Sequence, residues 1–221
     1  MKKYLYAGLL ACTIASCTDD FLKEEMVSTI TQDYFNTEQG LDQLIVGTYN
    51  AERVKWGYSE GVYMFETGHD CARKSGDTDL NMYSTSKWSS TGDIGKQTDQ
   101  FMGFQSKSSA GFLIIDNCNK AINIIRNNEG KGQYASNKEY AAQRLSEVLF
   151  NRAYSYYNLN TILGDIYFST TSSITLPSNY VYTRTPAEEM YKVLISDLRY
   201  AVENLPENYS SGEFGRATKY A

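Results

Sequence analysis

The strongest constraint on the fold is an apolar stripe of helical periodicity between Ser136 and Gly164. Ser136 and Glu139 have the spacing of a capping box, and Gly164 predicts a helix end of the αL type. At about 1.5 Å per residue this helix would span about 40 Å. The apolar positions that define the stripe are Leu145, Val148, Leu149, Ala153, Tyr156, Leu159, Ile162 and Leu163.

Three further helical patterns flank this one. They cover residues 38–54, residues 110–127 and a segment ending near residue 204. The last segment starts at Thr185-Pro186-Ala187-Glu188, where a capping box carries proline at the first helical position. We therefore predict an all-α fold of antiparallel helices. Its inward side chains are expected to be Leu41, Leu44, Ile45, Thr48, Tyr49, Phe112, Ile115, Cys118, Ile122, Ile125, Met190, Leu194, Leu198, Ala201 and Leu205.

Residues 55–109 show no sustained helical stripe. Gly, Ser, Thr and Asp dominate there, with aromatic residues scattered between them. A long irregular stretch in a compact domain is usually functional or disordered, and the aromatic content argues against disorder. We therefore expect one long, irregular, aromatic-rich loop region. Residues 165–183 are predicted to be extended.

The N-terminus has the layout of a secretory signal peptide. Lys2 and Lys3 precede an apolar stretch that is too short to span a membrane. The segment Ile14-Ala15-Ser16-Cys17 resembles the bacterial lipobox, in which the cysteine becomes the first, lipidated residue. The alternative is an ordinary signal peptide with a chance cysteine. We predict a signal peptide at 1–16, a lipid attached to Cys17 (palmitate among its acyl chains), a tether at 17–33 and a helical domain at 34–221.

Charge and cysteine content narrow the functional classes. The 221-residue chain has a formal net charge of −5, and removal of residues 1–16 would bring it near −7. Nucleic-acid binding is disfavoured because it requires a basic surface. Apart from the signal peptide and Cys17, only Cys71 and Cys118 remain. They could form a disulfide in an oxidising compartment, or each could be a small buried hydrophobic residue.

One short motif matches a hydrolase signature. Gly57-Tyr58-Ser59-Glu60-Gly61 fits the G-x-S-x-G nucleophile elbow, which requires a preceding strand and a later acid and histidine. Here a helical pattern precedes the motif. His69 is the only histidine, and no aspartate lies between it and Ser59. We therefore predict that the chain is not an enzyme.

Two segments carry residue types that bind metals. His69-Asp70-Cys71 has no partners at the spacing of a zinc site. Asp77-Thr78-Asp79-Leu80-Asn81 begins like an EF-hand loop, but Met82 replaces the glycine and Trp88 stands at the position of the bidentate glutamate. A calcium site of another type and a solvated acidic turn remain open for this segment. The expectation is no cofactor and no metal.

Residues 144–168, RLSEVLFNRAYSYYNLNTILGDIYF, contain a glutamate, an Arg-Ala pair, paired aromatics and a Gly-Asp in that order. This segment resembles the signature helix of the SusD/RagB family of outer-membrane nutrient-binding lipoproteins. Residues 184–206 and 215–219 resemble the next two blocks. Residues 17–22, 34–49 and 116–125 add weaker similarity. The matching residues of the first block are Glu147, Arg152, Ala153, Tyr156, Tyr157, Gly164 and Asp165.

The chain departs from the family pattern in two ways. The family usually has proline near Tyr167, and its members are much longer, with a glycine where this chain has Tyr220. The resemblance therefore implies an N-terminal part of a family member, incomplete at its C-terminus. It also implies tetratricopeptide-like helix pairs, which need neighbouring repeats for stability. We expect this length alone to be marginally stable and to expose an apolar face; cooperative unfolding of the monomer at high temperature would contradict this.

The resemblance implies a non-catalytic surface protein that captures an oligosaccharide or another large nutrient for a SusC-like TonB-dependent transporter at the outer membrane. Sugar rings pack on aromatic faces and hydrogen bond to Asp, Asn and Arg. Asp70, Arg73, Tyr83 and Trp88 are the candidate ligand-binding residues, on residue type alone. The alternatives are a structural or gating partner of the transporter without its own ligand, and a lipoprotein glycan hydrolase.

Overall fold

A computed structural model describes residues 32–57, 111–128, 137–210 and 212–221. Four long helices occupy these ranges: α1 (Glu38–Gly57), α2 (Gly111–Asn128), α3 (Lys138–Leu163) and α4 (Ala187–Asn204). A single helical turn (Gln32–Phe35) precedes α1, and a 3-10 turn (Ser173–Thr175) lies between α3 and α4. The described residues contain no strand, so the all-α prediction is confirmed.

The relative directions of the helices follow from hydrogen bonds between them. Thr48 and Glu52 of α1 accept from Asn151 and Ser155 of α3, and both pairs are separated by 103 residues. This constant separation means that α1 and α3 run parallel. Since α3 contacts each of the other three helices, it is the central helix of the fold.

Consecutive helices run antiparallel, as predicted. Arg152 of α3 bonds Asn119 of α2 and Asp197 of α4, whereas Asn160, two turns further along α3, bonds Tyr191 near the start of α4. As the residue number rises along α3, the residue number of the partner in α4 falls, so these two helices run in opposite directions. Two large apolar clusters of the described residues fill the spaces between these helices, one around Leu41, Ile45, Ile114, Ile122 and Val148, and one around Ile115, Tyr156, Leu159, Met190 and Leu194. A smaller cluster contains Ala201, Leu205 and Ala217.

Helix α4 corrects one predicted core position. Leu198 is 37 % exposed and Asp197 is buried in its place. Asp197 takes the inward position because its carboxylate binds Arg152 on α3. Ile195, Leu198 and Val202 are exposed together on α4. These side chains form an exposed apolar face, and the expected marginal stability of this length stays a prediction.

The helix ends differ from the predicted capping boxes. Asn137, not Ser136, caps α3, and its side-chain oxygen accepts from the Tyr140 amide at 3.0 Å. Gly164 ends α3 with a positive φ of 68°, but its ψ of −137° lies far from the αL region. Within the predicted extended segment 165–183, the 3-10 turn interrupts the chain between the extended residues Ser172 and Leu176, and an antiparallel bridge joins Ile166 to Thr185.

The N-terminus of α4 is capped by a residue from the preceding loop. Pro186 stands at the N-cap and no local side chain makes a capping bond, so the predicted Thr185 box does not form. Instead the Ala187 amide donates to the Asp165 carboxylate at 3.0 Å. Within the described ranges, no helix is both long enough and apolar enough to cross a membrane.

Replacing Asp165 with alanine should lower the free energy of unfolding by about 0.5–2 kcal/mol, the usual cost of removing an N-cap acceptor. Urea denaturation followed by circular dichroism measures the change. Asp165→Asn keeps an acceptor oxygen and should retain most of the stability. Equal loss in both variants would mean that the carboxylate acts through its charge on the helix end instead.

A tyrosine-lined pocket and two buried charge clusters

The ligand-binding candidates from the sequence, Asp70, Arg73, Tyr83 and Trp88, lie outside the described residues, as does Cys17. The elbow motif beyond Gly57, the segment around His69 and the acidic segment at 77–81 lie outside them as well. Gly57 itself is the last residue of α1, which therefore runs three residues beyond the predicted end at Val54. Cys118 is a small buried residue, the second of the two interpretations offered for it, since its thiol is free and fully buried. Burial raises the pKa of this thiol.

The described residues contain a pocket of about 520 Å³ between α2, the second half of α3 and the segment that joins α3 to α4. Apolar and aromatic side chains form most of its lining, with a polar strip along one side. Its lining residues are Phe112, Leu113, Ile115, Asp116, Asn119, Tyr156, Tyr167, Ser169, Thr171, Ser173, Leu176 and Tyr182.

Tyr156 connects the wall of the pocket to the core. It is fully buried on α3, and its ring packs against Phe168 with a centroid distance of 4.9 Å. Its hydroxyl donates to the Ser169 carbonyl and accepts from the Ser169 amide, both at 2.9 Å. Burial raises the pKa of Tyr156, so the hydroxyl stays protonated and fixes the loop at Ser169.

The polar strip is held by two side chains of α2. Asn119 donates to the carbonyls of Ser169 and Thr171 at 3.1 and 3.2 Å. Asp116 accepts from the Ser173 amide at 2.6 Å and from the Ser172 hydroxyl at 3.1 Å, and its second oxygen lies 2.8 Å from the Lys120 ammonium. The loop therefore forms hydrogen bonds with most of the polar groups in the polar strip.

Three tyrosines contact one another beside the pocket, and two of them, Tyr167 and Tyr182, line it. Tyr182 contacts Tyr167 edge to face with centroids 4.8 Å apart, and it contacts Tyr180 in the same way at 5.2 Å. Tyr180 is 39 % exposed and Tyr182 is 63 % exposed. These residues are missing from the sequence-based candidates. The alternation Tyr180-Val181-Tyr182 was the available signal, because alternate residues of an extended segment face the same side.

Two buried charge clusters lie along α3, and the second shares Asn119 with the lining of the pocket. In the first, Glu147 binds Arg144, Arg216 and the Tyr49 hydroxyl. In the second, Arg152 binds Asp197 and Asn119. Each of these groups has partners within the fold, which is typical of a structural role. In the part of the chain that the structure describes, no three His, Cys, Asp or Glu side chains are placed to hold a metal ion.

Acidification should weaken the attachment of the pocket loop to α2. Burial raises the pKa of Asp116, but hydrogen bonds from Lys120 and Ser173 outweigh it, so the pKa lies below its usual value of 3.8. A carboxylate with a depressed pKa contributes stability that is present above the unfolded value and lost as pH falls through the folded value. The melting temperature of the wild type should therefore fall below about pH 4 by more than that of Asp116→Asn. Parallel curves for the two proteins would contradict this.

The chain is similar to known proteins over most of its length. The profile of a SusD-like family, described as "Starch-binding associating with outer membrane", matches residues 20–221. The chain is similar to SusD-like proteins P25 and P2 of Formosa agariphila, with 25 % and 27 % identity over 93 % and 98 % of its length. It spans only 38 % and 40 % of the length of those two relatives.

Solved structures share the fold at low sequence identity. A SusD homologue from Bacteroides thetaiotaomicron superposes with a TM-score of 0.63 at 20 % identity, over 86 % of this chain and 34 % of its own. A laminarin-binding SusD-like protein gives 0.64 at 17 %, over 83 % and 37 %. A SusD-like carbohydrate-binding protein from Bacteroides fragilis gives 0.62 at 18 %, over 85 % and 36 %. Because the family profile covers the chain from residue 20 to its last residue, the chain belongs to the SusD-like family.

Proposed function

We propose that this chain is the N-terminal part of a non-catalytic glycan-binding lipoprotein of the outer membrane. The match to the SusD-like family over residues 20–221 carries the proposal. The aromatic candidates at 55–109 and the laminarin-binding relative support the choice of a glycan. Its partner would be a TonB-dependent transporter, to which it delivers oligosaccharide.

Calorimetry with soluble polysaccharides tests the binding function. The purified chain would be titrated with laminarin, starch-derived and mannose-based glycans. Binding to at least one of them is expected, weakened by Trp88→Ala or Tyr83→Ala because stacked aromatic side chains would be lost. Phe214→Ala is the matched control, since Phe214 is exposed and lies outside the pocket. Conversion of a glycan to shorter products would favour the hydrolase alternative.

The lipid anchor is part of the same proposal. Residues 1–16 would be removed, Cys17 would carry the acyl chains and residues 17–33 would form the tether. We propose more than one acyl chain, because more than one is needed for stable anchoring. Metabolic labelling with an alkyne-tagged fatty acid tests this. Label on the wild type and none on Cys17→Ser is the expected result; equal label on both would refute the assignment.

The partner is tested separately from the ligand. Affinity capture of the chain from outer-membrane extracts should retain a TonB-dependent transporter. If the transporter is retained while no glycan binds, the gating alternative replaces the glycan-binding one. If no transporter is retained and no glycan binds, the proposed function is wrong as a whole.

A further inference from the structure

We propose that the tyrosine-lined pocket is a second glycan site, in which an uncharged oligosaccharide lies across Tyr182 between α2 and the α3–α4 segment. The inference rests on the proposed function, because it assigns a further site for the same class of ligand. The lining residues of this second site are described ones and are different from the candidates at 55–109.

The aromatic surface is the first argument. Tyr180 and Tyr182 remain substantially exposed although their rings are fixed by edge-to-face contacts with each other and with Tyr167. Rings held in this way lose little conformational freedom when a ligand packs on them. The C–H face of a pyranose fits such a surface, and tyrosine hydroxyls can pair with sugar hydroxyls.

The shape of the surface favours a chain of sugars over a single one. A second pocket of about 320 Å³ adjoins the first, and the two share Phe112, Tyr167 and Tyr182 as lining residues. A ligand that crosses Tyr182 would occupy both pockets. We therefore expect a hexasaccharide to bind more tightly than the corresponding monosaccharide.

The charges around the two pockets favour a neutral ligand. In the first pocket Asp116 faces Lys120 at 2.8 Å, and in the second Asp165 and Arg184 are both present. Neither pocket therefore offers a net charge of one sign. Because the loop backbone already satisfies Asp116 and Asn119, the polar wall can be covered by a sugar ring without leaving buried groups unpaired.

Nuclear magnetic resonance of the chain with ¹³C-labelled tyrosine rings provides a test local to this site. The probes are laminarihexaose and maltohexaose, and the Tyr167 and Tyr182 signals are assigned by their loss in Tyr→Phe variants. We expect at least one probe to shift the Tyr167 and Tyr182 signals. Tyr182→Ala should weaken the affinity measured from the Tyr167 signal about tenfold, whereas Tyr182→Phe should retain most of that affinity.

Two controls separate this site from the rest of the protein. Tyr220→Ala removes a tyrosine that is 72 % exposed and lies outside both pockets, and it should not change the titration. Trp88→Ala should leave the Tyr167 shifts in place. Unchanged melting temperatures would show that each variant is folded.

The outcomes distinguish the second site from the function on which it rests. If calorimetry detects binding of a probe while the Tyr167 and Tyr182 signals do not move, the second site is refuted and the proposed function stands. The second site would also be refuted if a probe still shifted the Tyr167 signal in Tyr182→Ala but no longer shifted it in Trp88→Ala. If neither probe binds, this inference is refuted, whereas the proposed function still stands if another glycan of the calorimetry panel binds.

Discussion

Replacing Arg152 with alanine should lower the free energy of unfolding by about 3–5 kcal/mol, because it leaves a buried carboxylate without its cation. The Arg152 side chain is 2 % exposed and binds Asp197 through two nitrogens, at 3.1 and 2.6 Å. A third nitrogen donates to Asn119 at 2.9 Å, so the change also breaks the link between α3 and α2. Urea denaturation at neutral pH measures the loss.

The pH dependence of this loss provides a further check. Burial raises the pKa of Asp197, and the charge of Arg152 opposes that effect. Without Arg152 the folded-state pKa should rise further. A carboxyl group with a raised pKa favours the folded state below its unfolded value and disfavours it as pH rises through the folded value. The stability difference between Arg152→Ala and the wild type should therefore narrow as pH is lowered.

Two control variants test the assignment to a buried ion pair. Arg199→Ala removes an exposed arginine of α4 and should change the stability by no more than about 0.5 kcal/mol. The double variant Arg152→Met, Asp197→Leu removes both charges and should recover much of the loss, as replacement of buried pairs by apolar residues often does. A double variant as unstable as Arg152→Ala would mean that shape, not charge, determines the effect.

The buried pair also shows what the sequence could and could not predict. Apolar periodicity located all four helices within a few residues, because each helix buries apolar side chains at helical spacing, even though seven of the thirteen buried residues of α3 are polar or charged. The same rule placed Leu198 inside and left Asp197 outside. Asp197 is buried because of Arg152, which lies 45 residues away in sequence, and periodicity carries no information about such a partner.

The cap of α4 differs from the prediction for a related reason. A capping box is a local pattern, and its residues at 136–139 and 185–188 have the correct spacing. At α4 the tertiary fold brings Asp165 to the Ala187 amide at the helix start, and the Ile166–Thr185 bridge lies next to it. A distant acceptor that the fold positions can therefore replace a local one.

The family resemblance identified residues whose roles become clear only in three dimensions. Glu147, Arg152 and Tyr156 lie on α3 and bind the C-terminal segment, α4 and the pocket loop, respectively. Asp165, just beyond α3, caps α4. The central position of α3 therefore explains these motif residues, since each of them connects α3 to a different part of the fold. The pocket could not be predicted in this way, because its walls come from three segments distant in sequence.

Replacing Glu147 is expected to have the second large effect. The side chain has no exposed surface, and its two oxygens accept from Arg144 at 2.5 Å, Arg216 at 2.9 Å and the Tyr49 hydroxyl at 3.1 Å. Glu147→Gln should cost about 1.5–3 kcal/mol, the range of a hydrogen bond to a charged group. Glu147→Ala should cost about 3–5 kcal/mol, because it also empties the space between two buried guanidinium groups.

The loss should be greatest where the C-terminal segment meets α1. Tyr49 donates to Glu147 and accepts from the Ala217 amide at 3.0 Å, so Glu147 orients the hydroxyl that holds this amide. Hydrogen exchange at Ala217 should therefore accelerate more than exchange in the first half of α2. Asp42 and Glu213 still neutralise Arg144 and Arg216 after the change, which explains why the fold should survive it. The exposed Glu139→Gln variant of the same helix is the matched control, and equal acceleration in both variants would show that Glu147 does not hold the segment.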